Sequence, residues 1–289
     1  MTYCLAVEKI AGMEVPKRGA YIRVILSELE RLHSHYLWLG LAAHIVAFDS
    51  LFMMCFASRE KIMDMLEVIS GNRVNYAMNI VGGARRDITN EQKETLIKMI
   101  ADLRREYKDI YNVYAKDSSI AARTKGVGVL TKDDALNYGA CGPHGRASGV
   151  NFDVRKTMSY NCYEEFDFNV AIANDGDVFS RAVVRLIEIE ESCKIIEQAL
   201  KNMPDGPINL GNKIPRVPVG EGMVVTEAPR GEVTYYVVSN GGQTNGRVNI
   251  HVPTFKNAMT VPVMLKNNTI ADAGLIVASI DPCFSCLDR

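Results

Sequence analysis

Two cysteines three residues apart lie in the last stretch of the sequence, Asp281-Pro282-Cys283-Phe284-Ser285-Cys286-Leu287-Asp288-Arg289. Thiolates at that spacing on a turn can grip one soft metal, and Pro282 fixes the backbone that enters the turn. Taken alone, the pair also reads as half of a zinc site, as a redox dithiol, or as two unrelated buried cysteines. Zinc needs a second pair, and none of Cys4, Cys55, Cys141, Cys162 and Cys193 makes one. A redox dithiol of thioredoxin type needs a strand-to-helix setting that the flanking residues do not offer. Arg230, in an Ala-Pro-Arg-Gly turn, reads by itself as a surface ion-pair residue. His33 and His35 are two apart on a helix, so they face different sides and are expected as packed, hydrogen-bonded histidines. His44 and Asp49 sit in an apolar helix pair and could belong to a proton path. Gly82-Gly83 and Gly241-Gly242 lack the spacing and the following helix of a phosphate loop.

The elements that must position these residues are mostly helical. From Pro16, Ile22, Ile25, Leu26, Leu29, Leu32, Tyr36 and Leu39 recur at spacings of three and four, which predicts a long helix. A second is predicted over about 50–68, stopped by Ser70-Gly71-Asn72. The stretch 76–84 is short, apolar and closed by two glycines, hence a strand or extended loop. A charged helix is predicted over about 90–114, and a glycine-rich centre follows it. Another long helix covers about 177–202, ended by Met203-Pro204-Asp205-Gly206-Pro207. The β-rich segments 223–226, 232–239 and 247–251 give a small antiparallel insertion over about 222–252, with Asn240-Gly241-Gly242 as a turn. Two short helices are expected over about 254–265 and 270–279. The expected architecture is one mainly α domain over 1–289, a helical bundle with that β insertion.

Composition narrows the class. The chain has 289 residues, 33 Lys+Arg against 34 Asp+Glu, and 47% hydrophobic residues. That balance leaves no uncompensated basic surface for nucleic acid. Seven scattered cysteines read as reduced thiols. The apolar run Leu37 to Ala57 approaches a membrane span in length, yet His44 and Asp49 within it favour a buried helix pair. The apolar face from Ile22 to Leu39 is expected to lack full cover, so that an isolated preparation would be poorly soluble.

A resemblance unites these features. Ala6-Val-Glu-Lys-Ile-Ala-Gly-Met-Glu-Val-Pro16, Tyr21-Ile-Arg23, Glu28-Leu-Glu-Arg-Leu-His-Ser-His35, Gly142-Pro-His-Gly-Arg-Ala-Ser-Gly149, Asp153-Val-Arg155, Met203-Pro-Asp-Gly-Pro207, Glu227-Ala-Pro-Arg-Gly231 and the terminal motif run along the whole chain. Together they resemble the large subunit of nickel-iron hydrogenases of the membrane-associated, energy-converting branch. They are also similar to the related 49-kDa or D subunit of complex I, the NADH-quinone oxidoreductase. The tail separates the two relatives, because the complex I protein has lost the metal-binding cysteines.

The resemblance implies a hydrogenase large-subunit fold and reversible dihydrogen oxidation, coupled to ferredoxin-type electron transfer and ion translocation. Cys283 would be a terminal nickel ligand, and Cys286 would bridge nickel to an iron carrying carbon monoxide and cyanide. Arg230 would hang over the metal pair, oriented by Asp281 through a charge-assisted bond. Arg146, Asp153 and Arg155 would lie near the interface with a small iron-sulfur subunit, or form a plain structural ion-pair network. Implied partners are that subunit with its iron-sulfur clusters, a ferredoxin-like subunit and membrane-arm subunits, all at the cytoplasmic face of the cell membrane. A first Cys-x-x-Cys is expected upstream of the Tyr3-Cys4-Leu-Ala-Val-Glu8 segment, and Cys4 cannot replace it. The chain is therefore expected to lack an N-terminal segment and to hold two of four metal ligands. The alternatives are a non-catalytic complex-I-like subunit that packs an iron-sulfur partner and shapes a quinone cavity, and a zinc-stapled helical scaffold.

Overall fold

The computed structural model describes residues 1–211, 216–242 and 244–288, so Arg289 of the terminal motif lies outside the described residues. Helix α1 (Thr2–Ala11) is followed by α2 (Lys17–Ile45), α3 (Asp49–Ser70), a two-stranded ladder of β1 (Asn79–Ile80) and β2 (Gly83–Ala84), and α4 (Asn90–Lys116). The glycine-rich centre carries short helices α5 (Ser118–Thr124), α6 (Lys132–Asn137), α7 (Gly142–Ala147) and α8 (Val154–Thr157), before α9 (Val178–Asn202). An antiparallel sheet in the order β3 (Val219–Ala228), β4 (Gly231–Asn240), β5 (Asn245–His251) comes next. Helices α10 (Pro253–Ala258), α11 (Val261–Met264), α12 (Ala273–Ser279) and α13 (Phe284–Leu287) close the described chain.

The long helices form the bundle for the reasons their sequences suggest. Pro16 caps α2, and every member of the Ile22–Leu39 stripe is sealed against α3 and α9. At about 1.5–3 kcal/mol for each large apolar side chain removed from water, this stripe dominates the core. Its cover is complete, which removes the ground for expecting poor solubility from that face. Gly71 ends α3 with φ 77°, a left-handed cap that a side chain would strain. Thr89 and Gln92 exchange hydrogen bonds as a capping box at the start of α4. Asp177 caps α9 through the Ser180 amide.

Three features differ from the expected elements. Helix α1 precedes the expected helical start; Ala6 and Val7 pack on the sheet with Val237, a face too short to show a period. The helix expected over 254–265 is two, α10 and α11, since Pro262 in the first turn of α11 has no amide to continue the ladder. The apolar run 37–57 breaks between Ile45 and Asp49, and no helix among the described residues is long and apolar enough to cross a membrane.

Candidate functional site

The terminal thiols sit where the β3–β4 turn, α10 and the chain after α12 meet. Asp281 has φ 58°, an unusual backbone for a non-glycine residue, and its carboxyl is buried. Arg230, on the β3–β4 turn, donates from Nη2 to Asp281 Oδ1 at 2.9 Å and from Nε to the Asp281 main-chain oxygen at 2.9 Å. The charge-assisted bond expected between these residues is thus present, and it fixes the guanidinium at two points. The Cys286 amide donates to the Cys283 carbonyl at 3.0 Å, closing the turn that presents both sulfurs. The Cys283 amide reaches Thr254 Oγ1 at 3.4 Å, and its Sγ lies 3.1 Å from Ser285 Oγ. Burial pushes the Cys283 thiol up, but bonds from Ser285 and Cys286 and the charge of Arg230 outweigh it and bring the thiol below its ordinary value.

Those features suit a soft metal, yet the donor set stops at two. Among the described residues no group of three or more His, Cys, Asp or Glu is placed to hold a metal ion. A nickel-iron centre held by four thiolates does not fit this donor set alone. Cys141 is buried behind Gly231, with its thiol pushed up to about 12 by burial, and is no third ligand here.

Beneath this corner lies a second constellation that reading the sequence did not assemble. Glu28 from α2 accepts from Arg155 Nη1 at 3.1 Å on both oxygens, from Tyr163 at 2.6 Å and from Ser192 at 2.6 Å. Arg155 is also bound by Asp153, at 3.0 and 2.7 Å. Glu188 from α9 takes Arg146 Nη2 at 2.7 Å on one oxygen and His35 Nε2 at 2.7 Å on the other. Arg146 Nη1 reaches Glu227 Oε1 at 2.8 Å, and Arg31 donates to the Glu227 and Ala228 carbonyls at 2.7 and 3.1 Å. All of these charged side chains are buried. A similar pair, Glu8 with Arg23 at 2.6 and 3.0 Å, pins α1 to α2 and the β1–β2 turn.

The electrostatics follow from the pairing. Burial alone would raise Glu28, Asp153 and Glu188, but the facing guanidiniums of Arg155, Arg31 and Arg146 hold each below the ordinary carboxylate range. Burial also pushes His35 down. Arg146, Asp153 and Arg155 therefore belong to a buried structural ion-pair network. His33 accepts from Arg59 at 2.7 Å and is pushed down to about 4 by burial and by that charge. His44 and Asp49 bond each other at 2.8 Å but stand in solvent, with side-chain exposures of 63% and 74%, where α2 turns into α3. The burial expected for them in an apolar helix pair is thus not observed.

Next to the network, a cavity of about 380 Å³ opens between α6, α7 and α10, lined by Leu136, Tyr138, Gly142, Arg146, Phe152 and Lys256 among others. Lys256 is ion-paired to Glu232 at its side. The network was discoverable in principle: Glu28 and Arg31 interrupt the Ile25–Leu29–Leu32 stripe, and a charge inside an apolar stripe requires a buried partner.

The family model described as respiratory-chain NADH dehydrogenase, 49 Kd subunit, matches residues 46–214 and 209–289. A carbon monoxide-induced hydrogenase of Rhodospirillum rubrum is 43% identical over 100% of this chain and 80% of its own length. The membrane-bound hydrogenase subunit alpha of Pyrococcus furiosus is 41% identical over 100% of this chain and 71% of its own. The D subunit of the NADH-quinone oxidoreductase of Clostridium beijerinckii is 38% identical over 99% of this chain and 78% of its own.

Proposed function

The chain belongs to the family of the respiratory-chain NADH dehydrogenase 49 Kd subunit, and from that premise we propose that it is a complex-I-like oxidoreductase subunit that packs an iron-sulfur partner and shapes a quinone cavity. One observation carries this reading: among the described residues no group of three or more His, Cys, Asp or Glu is placed to hold a metal ion. The cavity beside Arg146 supports it further, being large enough for a flat ring and carrying an apolar lip from Leu136, Tyr138 and Phe152. Lys256 at the cavity wall supplies a cationic donor there for a carbonyl oxygen. In this reading the assembly sits peripherally on the inner face of the cell membrane, beside membrane-arm subunits.

A second reading is favoured by a specific observation. Cys283 lies within reach of the charge of Arg230, itself clamped by Asp281, and two of the relatives above are hydrogenases. The chain would then be the large subunit of an energy-converting nickel-iron hydrogenase, exchanging electrons with a ferredoxin-type chain through a small iron-sulfur subunit. Cys283 and Cys286 would supply two thiolates to the metals, and the remaining donors would have to come from outside the described residues. Arg230, held by Asp281, would present its guanidinium to the substrate side.

The experiment uses the chain purified with the proteins that accompany it. In the first reading a short-tailed quinone binds saturably, and Leu136→Trp, which fills the cavity, weakens it about tenfold, or ~1.4 kcal/mol. Nickel and iron at about one each per chain, lost in Cys283→Ser, with no saturable quinone binding, would replace it by the second. Zinc alone, lost in the same variant, would favour the zinc-stapled scaffold.

A further inference from the structure

The buried network is unbalanced in its direct bonds. Four carboxyls, Glu28, Asp153, Glu188 and Glu227, share three guanidiniums, those of Arg31, Arg146 and Arg155. Arg185 faces Glu188 from α9, but its guanidinium donates to the Arg181 and Ser279 carbonyls and lies 4.0 Å from the Trp38 ring centroid. His35, the other basic group in the set, is driven toward its neutral form by burial. One negative charge therefore lacks a bonded counter-charge, and an uncompensated buried carboxylate is costly.

The four carboxyls are not equally served. Glu28 receives Arg155 on both oxygens, with Tyr163 and Ser192 besides. Asp153 is gripped by Arg155 Nε and Nη2 and by the Arg155 amide. Glu188 takes two bonds from Arg146 and one from His35. Glu227 has a single guanidinium nitrogen, Arg146 Nη1 at 2.8 Å, on one oxygen and only the Val154 amide, at 3.2 Å, on the other. That same Nη1 is 3.7 Å from Asp153, so two carboxyls compete for it.

We infer that Glu227 is a buried proton-binding site, the one carboxyl of the network that takes up and releases a proton while Glu28, Asp153 and Glu188 stay ionised. The groups facing it agree from every side. Burial raises it, Arg146 of α7 lowers it, Asp153 raises it again, and Arg31 of α2 and Arg155 of α8 lower it from farther off, for a net rise. Tyr160 accepts the Glu227 amide at 3.0 Å, and Cys141 behind α7 is a neutral thiol. The position gives the proton a route to influence. Glu227 ends β3 immediately before the turn that carries Arg230, and Arg31 clamps the Glu227 and Ala228 carbonyls. Proton occupancy thus changes the charge at the base of the Arg230–Asp281 corner. This holds under either redox reading.

The test is infrared spectroscopy of the chain with its accompanying proteins, followed as pH is raised from the ordinary carboxylate value. A carbonyl band of a buried carboxylic acid, shifted in heavy water, is expected to titrate above that value. It should vanish in Glu227→Gln and persist in Glu221→Gln, which alters an exposed carboxyl on the same strand. Asp153→Asn, which removes the competing charge, should move the midpoint to lower pH; it keeps the test open if Glu227→Gln does not fold. Absence of such a band in the unaltered chain, its survival in Glu227→Gln, or a midpoint unmoved by Asp153→Asn would overturn the assignment.

Discussion

The buried network and the terminal corner are both charged, both draw on β3–β4, and differ in what surrounds them. In the network, Glu28, Arg31, Arg146, Arg155 and Glu188 have no solvent to fall back on, so each depends on its partners. At the corner, Arg230 is partly exposed and the Cys283 and Cys286 side chains are reachable from outside. The difference teaches a division of labour within one family pattern. Motifs such as Glu28–His35, Gly142–Gly149 and Asp153–Arg155 meet as a rigid frame, while the last motif is left open for chemistry or for a partner.

The largest effect that would break this contrast is Arg146→Leu. Removing that guanidinium strands Glu188 and Glu227, and the cost is about 3–5 kcal/mol, read as a fall in the denaturant midpoint.

Acid is the next probe. Glu28, Asp153 and Glu188 sit below their unfolded values, so the stability they contribute is fully present above the ordinary carboxylate range near pH 4. It is lost as pH falls through that range toward their lowered values. Glu227 has the opposite sign: its raised value makes folding less favourable as pH rises past the ordinary carboxylate value. Glu227→Gln should therefore flatten the high-pH side of the stability profile and leave the acid limb in place. Thermal melts across pH check both limbs.

A smaller effect is expected at the corner. Cys283→Ser removes a partly exposed sulfur and should change stability by no more than about 0.5 kcal/mol in the absence of metal. Smallest of all is Arg73→Ala. Arg73 meets Glu60, Asp64 and Glu67 on the solvent-screened surface at the α3 end, and its loss should leave the same melt unchanged.

The frame was legible where period alone decides. The Ile22–Leu39 stripe predicted α2, the expected helices over 50–68, 90–114 and 177–202 lie close to the observed α3, α4 and α9, and Gly71 fell at the α3 cap. The sheet was legible from its Val, Tyr and Thr content, although β3 begins at Val219, ahead of the 223–226 segment that predicted it. An ion-pair network of Arg146, Asp153 and Arg155 was one of two readings, but its carboxylate partners Glu28, Glu188 and Glu227 were not legible, because they come from α2, α9 and β3, far apart in sequence. His44 and Asp49 show the converse error: apolar neighbours in sequence suggested burial, and the turn between α2 and α3 put both in water. At the site, the Arg230–Asp281 bond was legible from motif likeness, whereas the cavity beside Arg146 depends on α6, α7 and α10 converging across more than a hundred residues.

The contrast between a sealed frame and an open corner is tested most directly by alkylating the folded chain with iodoacetamide and locating the label by mass spectrometry. Cys55, Cys141 and Cys193 are buried, and burial pushes the Cys55 and Cys141 thiols up to about 12, so they should stay unlabelled until the chain unfolds. Cys283 and Cys286 should be labelled first. Labelling of Cys141 or Cys193 in the folded chain at the rate of Cys283 would contradict the account, since it would mean that the frame is no more closed than the corner.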